Sequence, residues 1–482
     1  MANVIGPSSP KQQLMLTQQA DLAIIGGAMG CLPHDAEFLS QYGWKRISDY
    51  SEGDKVAQYS PHNDTLTFVK PLEYIKLPCT SFKRMEARGL DFIMSPEHRV
   101  LYWNEGSSHK VIPFEEVVKR HEGSKTKGWT GKIKTTFQVQ GVEGLDYSEG
   151  ELRLQVAVQA DGRVVSGGKD NYTQMRFSKK RKYDRLIQLC STYNLPYRDN
   201  GSKFNPRYTS NAEYEVIVWP KSADKRFDGS WYSATNEQLA IIVDEVRYWD
   251  SHVVDNKNSQ TVQYSTTVKE NADFIQYAFH SQGYNTSINV RRQGEYTVFA
   301  SKTGKGFRSF ANKDGKCPVE DYPSQDGYKY CFVVEDSFFL VRQNNKVFIT
   351  GNSGKSYISL LYPLKFADDP YFRGVIFRNT TGEITAQNGL WENACEIYTK
   401  IYGNRDELRK QGKPGGIKIH IKDLKITFPS GGSLKFAYLE SRKDLQRHQG
   451  AAYTFCLFAE ATHFSRAMFE YLVKRMRSAK AT

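Results

Sequence analysis

Residues 21–30 read Asp-Leu-Ala-Ile-Ile-Gly-Gly-Ala-Met-Gly, a pattern that predicts a short buried strand ending in a glycine turn. A nucleotide-binding loop would continue from this turn into Gly-Lys-Ser and a helix, but the next residue is Cys31. The missing half of the loop occurs only from residue 353 onwards. Joining Gly30 to Ser353 gives G-x-x-x-x-G-K-S without a mismatch. We therefore interpret residues 31–352 as an insertion that divides a phosphate-binding loop.

Length and composition indicate a multidomain globular protein. The chain has 482 residues, of which 39% are apolar, and about two to four domains are expected from this length. It has no apolar run long enough to span a membrane, and residues 1–19 lack the basic-then-apolar order of a signal peptide, so we expect a cytoplasmic location and no membrane partner.

Cysteine usage and charge add two further expectations. The seven cysteines include no C-x-x-C pair, which argues against a disulfide framework and against a zinc site. A reducing compartment would leave the Cys31 thiol free to act as a nucleophile. The formal net charge of +13 is compatible with a polyanionic partner such as DNA, although many soluble proteins are equally basic.

The first part of the insertion, residues 31–147, is predicted to be an all-β unit. Short alternating segments that are separated by turn residues are typical of such a unit. The predicted strands are Trp44–Ile47, Lys55–Tyr59, Leu66–Val69 and Asp91–Met94.

These residues resemble the Hedgehog/intein (HINT) splicing fold. Residues 31–59 are similar to the family's first block, with a Cys nucleophile, a Gly-Trp-Lys segment and a Gly-Asp turn before a strand. Ser95-Pro96-Glu97-His98 is similar to the second block, usually T-x-x-H, with Ser95 in the Thr position. Residues 330–341 and 346–352 are similar to the last two blocks. The resemblance implies one all-β splicing domain, built from residues 31–147 and 312–352.

The resemblance implies autocatalytic protein splicing, in which the two ends of the insertion exchange one acyl group. The Cys31 thiol would attack the carbonyl of the preceding residue, with Ser95 and His98 in the catalytic set and His98 protonating the departing amine. The Ser353 hydroxyl would then take over the acyl group. The Asn352 side chain would close on its own carbonyl and release the insertion. None of these steps needs a cofactor.

Three residues depart from the family pattern. Gly351 stands where a His commonly precedes the terminal Asn, and Ser337 stands where another His is frequent, so the acid–base help for Asn cyclisation is unassigned. Cys331 occupies a position that is often Asp, and we expect it to help couple the steps. Taken singly, a Cys is usually a small buried hydrophobe and a His a hydrogen-bonded structural residue. The placement of Cys31 and His98 beside a divided loop favours catalysis.

Residues 148–311 interrupt the β pattern and contain an internal duplication. Residues 154–162 are similar to the nine-residue signature of the LAGLIDADG homing endonucleases, and residues 242–251 form a weaker copy. Similar segments follow each copy, at residues 177–188 and 264–276. The duplication predicts an α/β unit with pseudo-two-fold symmetry, in which two signature helices pack together and each delivers one carboxylate to the centre.

The resemblance assigns catalysis and Mg²⁺ binding to Asp161 and Asp250. Lys182 and Lys269 are expected to contact phosphates of double-stranded DNA. As an alternative, each signature segment is only a helix or strand that ends in a turn, and the degenerate second copy leaves DNA cleavage open. The segments expected to lie along the DNA groove are Arg176–Lys179 and Asn289–Arg292.

The sequence after Ser353 resembles the ATPase domain of the large terminase subunit of tailed bacteriophages. The resemblance rests on the divided GGAMG/SGKS loop and on the segments FRNT, HQGAAYTF and FAEATHF. It implies a P-loop α/β ATPase fragment formed by residues 1–30 and 353–482, and a phage or prophage protein in the bacterial cytoplasm. It also implies the phage portal and small terminase as partners, and it places the family's nuclease domain beyond the end of this chain.

The same resemblance implies ATP and Mg²⁺ as cofactors of the joined host domain. Glu460 would activate the attacking water, whereas Ala459 replaces the Asp that supports Mg²⁺ in the family and so weakens the expectation of ATP hydrolysis. The residues expected to bind ATP are Gly27, Gly30, Gly354, Lys355 and Ser356, with the Ser356 hydroxyl also on Mg²⁺.

Three hypotheses follow from these motifs. The first is a self-splicing insertion with an endonuclease unit inside a phage packaging ATPase. The second is a packaging ATPase whose insertion is inert, which requires the two loop halves at Gly30 and Ser353 to lie side by side in the precursor. The third is a protein that chiefly binds or cleaves DNA, with the flanks merely attached.

Overall fold

The computed structural model describes most of the chain and shows a strand-rich, multidomain protein. Gly27, Asn352–Ser356 and Glu460, together with the predicted strand at residues 21–25, lie outside the described residues. No helix within the described residues is long and apolar enough to cross a membrane. The described residues are 30–104, 109–125, 128–165, 172–202, 213–222, 224–256, 259–291, 294–312, 315–351, 359–385, 390–459, 464–474 and 476.

The first part of the insertion forms eleven strands and one helix. The four predicted strands are confirmed as β2, β3, β4 and β7, with ends that differ by one residue at most. The elements are β1 (Glu37–Ser40), β2 (Gly43–Arg46), β3 (Val56–Ser60), β4 (Thr65–Val69), β5 (Glu73–Pro78), β6 (Ser81–Ala87), β7 (Leu90–Met94), β8 (Arg99–Tyr102), β9 (Lys110–Pro113), α1 (Phe114–Gly123), β10 (Ile133–Lys134) and β11 (Gln138–Val139).

The prediction that this part contains only strands is wrong at helix α1. Phe114, Val117, Val118 and His121 are buried in α1. Their spacing of i, i+3, i+4 and i+7 places them on one helical face, and this is the periodic signal that would have revealed the helix.

The middle of the insertion consists of two copies of one arrangement: a helix, two strands, a helix of 13 residues and two strands. The two sheets have the equivalent strand orders β12-β13-β15-β14 and β16-β17-β19-β18. The elements are α2 (Glu149–Asp161), β12 (Gly162–Val165), β13 (Tyr172–Phe177), α3 (Lys180–Thr192), β14 (Tyr197–Gly201), β15 (Tyr214–Val218), α4 (Asn236–Glu245), β16 (Ser251–Asn256), β17 (Ser259–Thr266), α5 (Lys269–Ser281), β18 (Asn285–Val290) and β19 (Tyr296–Ser301).

Helices α2 and α4 begin with the same N-terminal capping motif. Ser148 caps α2 in a capping box with Glu151, and Thr235 caps α4 in a capping box with Gln238. Each box satisfies two backbone N–H groups that a helix N-terminus otherwise leaves without a partner. The local sequence therefore fixes where each of these two helices starts.

The strands that follow the middle unit return to the first part of the insertion. Strand β23 pairs with β6, β24 with β5, β25 with β1 and β3, and β26 with β8. Residues far apart in sequence therefore share sheets. The returning strands are β20 (Phe307–Arg308), β21 (Ala311–Asn312), β22 (Gly315–Lys316), β23 (Val319–Pro323), β24 (Tyr328–Val333), β25 (Phe338–Gln343) and β26 (Lys346–Gly351).

The β-rich part and the duplicated part of the insertion share one apolar core. Leu39 and Leu340 of the β-rich part belong to the same buried cluster as Val156, Ile242 and Phe274 of the duplicated part. Burial of this shared surface removes apolar area from water in both parts at once. The two parts are therefore packed together over a continuous interior.

A buried charge cluster lies at the same interface. The Arg342 guanidinium is fully buried, donates to both Glu37 carboxylate oxygens at 2.6 and 2.8 Å, and donates to Asp273 of α5 at 2.6 Å. It also lies 4.5 Å from the centre of the Trp44 ring. Burial opposes this charge, but Glu37 and Asp273 raise the pKa of Arg342 above its ordinary value. The cluster joins β25, β1 and α5.

The end of the chain forms a separate five-stranded sheet of order β28-β29-β30-β27-β31, in which β27 is parallel to both of its neighbours. The sequence predicts a strand at residues 375–378 and a hairpin over residues 424–438, and strand β27 and the β29–β30 hairpin confirm both. The elements are β27 (Arg373–Arg378), α6 (Thr381–Thr385), α7 (Leu390–Tyr402), α8 (Arg405–Lys410), β28 (Lys418–His420), β29 (Lys425–Thr427), β30 (Ser433–Tyr438), β31 (Phe455–Phe458) and α9 (Arg466–Val473).

The apolar run at residues 453–464 predicts a buried strand, and over the described residues this prediction is wrong in burial and in length. Strand β31 has four residues, and each of them is half-buried. It lies at the edge of the described sheet, where one side of the strand lacks a neighbour in the order given above. An edge strand with a long apolar run can therefore be mistaken for a central one.

We predict that Arg342→Met destabilises the chain by about 3–5 kcal/mol, because the partly buried Glu37 and the buried Asp273 lose the guanidinium between them and keep only the more exposed Lys269 nearby. Guanidinium unfolding of the chain that carries Cys31→Ala and Asn352→Ala measures the loss. Arg466→Ala is the matched control, since its ion pair with Glu470 is exposed, and it should change stability by less than about 0.5 kcal/mol. Equal effects of the two changes would contradict the assigned role of Arg342.

Candidate active sites

Cys31 is held between two segments of the β-rich part. Its backbone N–H donates to Ser95 Oγ at 2.9 Å, and the Ser95 N–H donates to the Cys31 carbonyl at 2.9 Å. The next residue, Leu32, exchanges two backbone hydrogen bonds with Tyr330 at 2.7 and 2.8 Å. Cys31 and Ser95 are both buried. The Gly30–Cys31 peptide is therefore fixed, and Ser95 Oγ contacts the nitrogen that would depart.

His98 is fully buried beside this peptide. Its Nε2 lies 2.7 Å from Thr350 Oγ1 of β26. Burial lowers the pKa of His98 to about 3, although the Gly30 backbone acts in the opposite direction. The ring is therefore neutral at pH 7 and can accept a proton.

Gly30 makes a close approach to His98. A Cβ atom added at Gly30 would lie 2.0 Å from the Cα atom of His98, so no larger residue fits without movement of this backbone. The sequence suggested phosphate binding as the reason for a glycine here. The structure adds a second reason, which is contact with the turn that carries the predicted acid–base residue.

Cys331 lies on β24, next to Cys31. The two thiols are within interaction distance, and burial together with this neighbour raises the pKa of Cys331 well above its ordinary value. Cys331 is therefore a neutral thiol in the folded precursor. The predicted role of Cys331 in coupling the splicing steps stays a prediction, with its position beside the nucleophile now known.

The two departures from the family pattern, Gly351 and Ser337, are in contact. Gly351 is the last residue of β26, and a Cβ atom added there would lie 2.0 Å from the Ser337 carbonyl oxygen. Ser337 has a φ of 65°, in the left-handed region. A His at position 351 would collide with the backbone of this turn. The absence of a side chain at Gly351 therefore follows from the path of the Ser337 turn.

Both ends of the insertion reach the same turn. Gly30 contacts His98, and Gly351 pairs with Arg99 in the β26–β8 ladder. The predicted catalytic residues Asn352 and Ser353 lie outside the described residues.

The acidic centre of the duplicated part is formed at the ends of its two repeats. Asp161 is the last residue of α2, and Asp250 follows the short turn helix Val246–Tyr248 after α4. Lys182 Nζ of α3 lies 2.6 Å from Asp161 Oδ2 and 3.2 Å from Asp250 Oδ1. One cation therefore interacts with both carboxylates.

The electrostatics of this centre suit a cation. Burial raises the pKa of Asp161, and the Lys182 ammonium acts in the opposite direction. Asp161 and Asp250 are hard oxygen ligands of the type that Mg²⁺ prefers, and Lys182 shows that a positive charge fits between them. The described residues contain no group of three or more His, Cys, Asp or Glu side chains arranged for a metal. Water or phosphate oxygens would complete an Mg²⁺ shell.

The two lysines expected to contact phosphates are not equivalent. Lys182 bridges the acidic pair, whereas Lys269 pairs with Asp273 at 2.6 Å within α5 and approaches Glu37 of β1 at 4.0 Å. The segments that follow the two signature copies therefore share their fold, but Lys182 and Lys269 have different partners.

A cleft of about 600 Å³ opens beside Asp250, and its lining includes two basic residues that the sequence analysis missed, Lys225 and Arg226. The charge of Lys225 acts to lower the pKa of Asp161. No motif marks these residues, since they lie in the connection between the two repeats. Basic side chains next to paired carboxylates are the arrangement that a phosphate backbone needs.

The segments expected to lie along DNA are strands only in part. Strand β13 ends at Phe177, before Lys179, and Arg176 pairs with Glu215 at 2.9 Å. Strand β18 ends at Val290, before Arg291. Lys179 is therefore the N-cap residue of α3 and Arg291 lies in a loop, whereas Arg292 lies outside the described residues.

Residues 350–482 match the family model described as terminase large subunit, T4likevirus-type, N-terminal. The terminase resemblance of this segment is confirmed. The match begins two residues before Asn352 and continues to the end of the chain.

One curated relative is the ribonucleoside-diphosphate reductase subunit beta of Aquifex aeolicus (strain VF5). It is 23% identical over 364 residues, which is 67% of this chain and 50% of the relative. The chain thus spans about half the length of that relative.

Three solved structures share low similarity with the chain. The AceL NrdHF class 3 split intein, in a glutathione-linked splice-inactive form, covers 67% of this chain and 98% of its own at 9% identity and a TM-score of 0.25. The N-terminal LAGLIDADG domain of DUF199/WhiA covers 33% and 78% at 11% identity and 0.24. The homing endonuclease I-DmoI, in mesophilic variants, covers 32% and 88% at 10% identity and 0.23. The fold described above therefore rests on strand order and packing.

In the terminase-like segment, the described residues stop short of the nucleotide site. Ala459 follows β31, is buried, and donates its N–H to the Phe377 carbonyl at 2.9 Å. The predicted nucleotide-site residues Gly27, Gly354, Lys355, Ser356 and Glu460 lie outside the described residues.

We predict that Gly351→Ala destabilises the precursor by about 1–3 kcal/mol, because the new methyl group overlaps the Ser337 carbonyl oxygen. Gly53→Ala is the matched control, since a Cβ there meets nothing within 4 Å, and it should cost less than about 0.5 kcal/mol. Guanidinium unfolding of the splicing-blocked chain compares the two variants. Equal stability of Gly351→Ala and its parent would show that the Ser337 turn can move to accommodate a side chain at position 351.

Proposed function

We propose that the chain is a self-splicing precursor in which residues 31–352 excise themselves and Gly30 is joined to Ser353. The observation that supports this most strongly is the convergence of both ends on one turn: Gly30 against His98, and Gly351 paired with Arg99. An inert insertion in a packaging ATPase would also bring its two ends together, but it would not need a buried thiol at its first residue with Ser95 bonded to the backbone nitrogen of that residue.

The first step moves the acyl group of Gly30 from nitrogen to sulfur. The Cys31 thiol gives up its proton and attacks the Gly30 carbonyl carbon, so that a C–S bond forms and the C–N bond to Cys31 breaks. His98 is neutral and can accept the thiol proton and return it to the departing nitrogen. Ser95 Oγ already contacts that nitrogen at 2.9 Å and holds it in place.

The later steps depend on the residues after β26. The Ser353 hydroxyl attacks the thioester and releases the Cys31 thiol, which gives a branched ester. The Asn352 side-chain nitrogen then attacks its own backbone carbonyl, closes a succinimide and frees the amine of Ser353. That amine takes the acyl group from the Ser353 oxygen, and a normal Gly30–Ser353 peptide results without a cofactor.

Joining the flanks would complete a phosphate-binding loop in a terminase-like ATPase. Lys355 would contact phosphates of ATP and Ser356 would hold Mg²⁺, with Glu460 activating water. The family match over residues 350–482 supports this host, and packaging partners such as portal and small terminase belong to the same proposal.

Intact-mass analysis of the expressed full chain tests the splicing proposal. We expect a free product spanning residues 31–352 and a joined product of residues 1–30 and 353–482, and we expect Cys31→Ala with Asn352→Ala to leave only precursor. Cys79→Ala is the matched control, since Cys79 is another free thiol of the same β-rich part, and it should splice normally. Only full-length precursor from the parent chain under reducing conditions would refute splicing.

A second function, cleavage of double-stranded DNA, is favoured by the acidic centre. Asp161 and Asp250 meet one cation, Lys182, where the signature segments of the two repeats end, beside a cleft whose lining includes Lys225 and Arg226. Asp161 and Asp250 would hold Mg²⁺, which stabilises the attacking and leaving oxygens of a phosphodiester when bound. Lys182 would then move from the carboxylates to a DNA phosphate.

We expect the full chain to cleave DNA that carries the uninterrupted host coding sequence, and we expect Asp161→Asn to reduce the cleavage rate at least about 100-fold, because one metal ligand is lost. Cleavage in Mg²⁺ is measured on a labelled duplex, and gel-shift binding in the absence of Mg²⁺ should be retained. Asp199→Asn is the control, since this Asp accepts a hydrogen bond from Tyr183 away from the acidic pair. Undiminished cleavage by Asp161→Asn would refute the assignment.

A further inference from the structure

The hydroxyl of Thr350 contacts both the Arg99 carbonyl and His98, and these two contacts bear on which nitrogen of His98 carries the proton. Its hydroxyl donates to the Arg99 carbonyl at 3.1 Å, and its Oγ1 lies 2.7 Å from His98 Nε2. A hydroxyl has one proton, and a carbonyl can only accept. We assign the Thr350 proton to the Arg99 carbonyl, which has no proton to give, so that Thr350 Oγ1 accepts from His98 and Nε2 is the protonated ring nitrogen.

The other ring nitrogen of His98 is then the basic one. A neutral imidazole with its proton on Nε2 carries a lone pair on Nδ1. Nδ1 is buried and makes no hydrogen bond to any described residue. The Gly30 backbone is the neighbour that favours a proton on this ring. An unpartnered acceptor therefore lies beside the peptide to be broken.

We propose that Thr350 is a positioning residue for the first splicing step, because it holds His98, which lies against Gly30, in the tautomer with its lone pair on Nδ1. This inference rests on the splicing function proposed above. Thr350 touches no reacting atom, and its effect is exerted through His98.

With this tautomer, the first step needs no proton donor or acceptor other than Cys31 and His98. The Cys31 thiol proton passes to Nδ1 as sulfur bonds to the Gly30 carbonyl carbon. The resulting Nδ1–H lies next to the Gly30 backbone, where it stabilises negative charge on the carbonyl oxygen. The Gly30–Cys31 bond then breaks, the Nδ1 proton moves to the Cys31 nitrogen, and His98 is neutral again. The opposite tautomer has no lone pair at Nδ1 to begin this sequence.

Thr350 also connects the first junction to the second. Strand β26 pairs Thr350 with Val100 and Gly351 with Arg99, and Asn352 follows directly. His98 is therefore set in its reactive tautomer only when β26 is docked on β8. The first junction is activated after the strand that carries the second junction has reached its place, which limits premature cleavage at Gly30.

Thiol-induced cleavage after Gly30 isolates the first step. In a full chain carrying Asn352→Ala and Ser353→Ala, dithiothreitol releases residues 1–30 from the thioester. We expect Thr350→Val to slow this release by about 10- to 100-fold or more, because the tautomer is no longer fixed, and we expect Thr350→Ser to stay within about threefold of the parent.

Thr286→Val is the matched control. Thr286 Oγ1 lies 2.7 Å from His280 Nε2, in a buried pair of the same geometry within the duplicated part. Thr286→Val should lower the stability of the chain about as much as Thr350→Val does, and it should leave the rate of cleavage after Gly30 unchanged. Equal rates for Thr350→Val and its parent would overturn the inference and leave the splicing proposal standing. Absence of cleavage in the parent would overturn both.

Nitrogen-15 NMR of the histidine-labelled full chain reads the tautomer directly. We expect His98 to show a protonated Nε2 in the chain blocked by Cys31→Ala and Asn352→Ala, and a mixed or reversed tautomer in the same chain with Thr350→Val. If Thr350 had only a structural role, Thr350→Val would lower the stability of the chain and leave the tautomer of His98 unchanged. A protonated Nδ1 in the parent would overturn the inference.

Discussion

The pairing of β26 with β8 is the contact on which the rest of the structure depends. It sets Thr350 beside Val100 and Gly351 beside Arg99, so the strand that ends the insertion lies next to the turn that carries His98. Gly30 approaches that turn from the other end of the insertion. The proposed acyl exchange requires reacting groups within contact distance, and this ladder brings the two described ends of the insertion to one turn.

The duplicated part contributes to the same arrangement through packing. It shares an apolar core with the β-rich part, and Asp273 of α5 holds the buried Arg342 of β25. Strand β25 in turn pairs with β26 along its whole length. A unit built for one chemistry, around Asp161 and Asp250, therefore also supports the strand that ends at the splice junction. Removal of the duplicated part would expose this core and leave Arg342 with Glu37 but without Asp273.

Much of the fold could be predicted because the signals are local. Alternation of apolar residues gave β2, β3, β4 and β7, and the hairpin of β29 and β30 followed from its turn residues. Helix α1 was missed although its four buried residues have helical spacing. The half-buried state of β31 could not be read from its apolar residues, because burial depends on which strands lie beside it.

The sequence by itself determined the chemistry available: a thiol at Cys31, an imidazole at His98 and a loop motif divided at one peptide. These are properties of side chains and of their order along the chain. Only the tertiary structure decided that Thr350 contacts His98 and that the backbone of Ser337 fills the space beside Gly351. His98 and Thr350 are 252 positions apart, so their contact is set by packing and leaves no local pattern in the sequence.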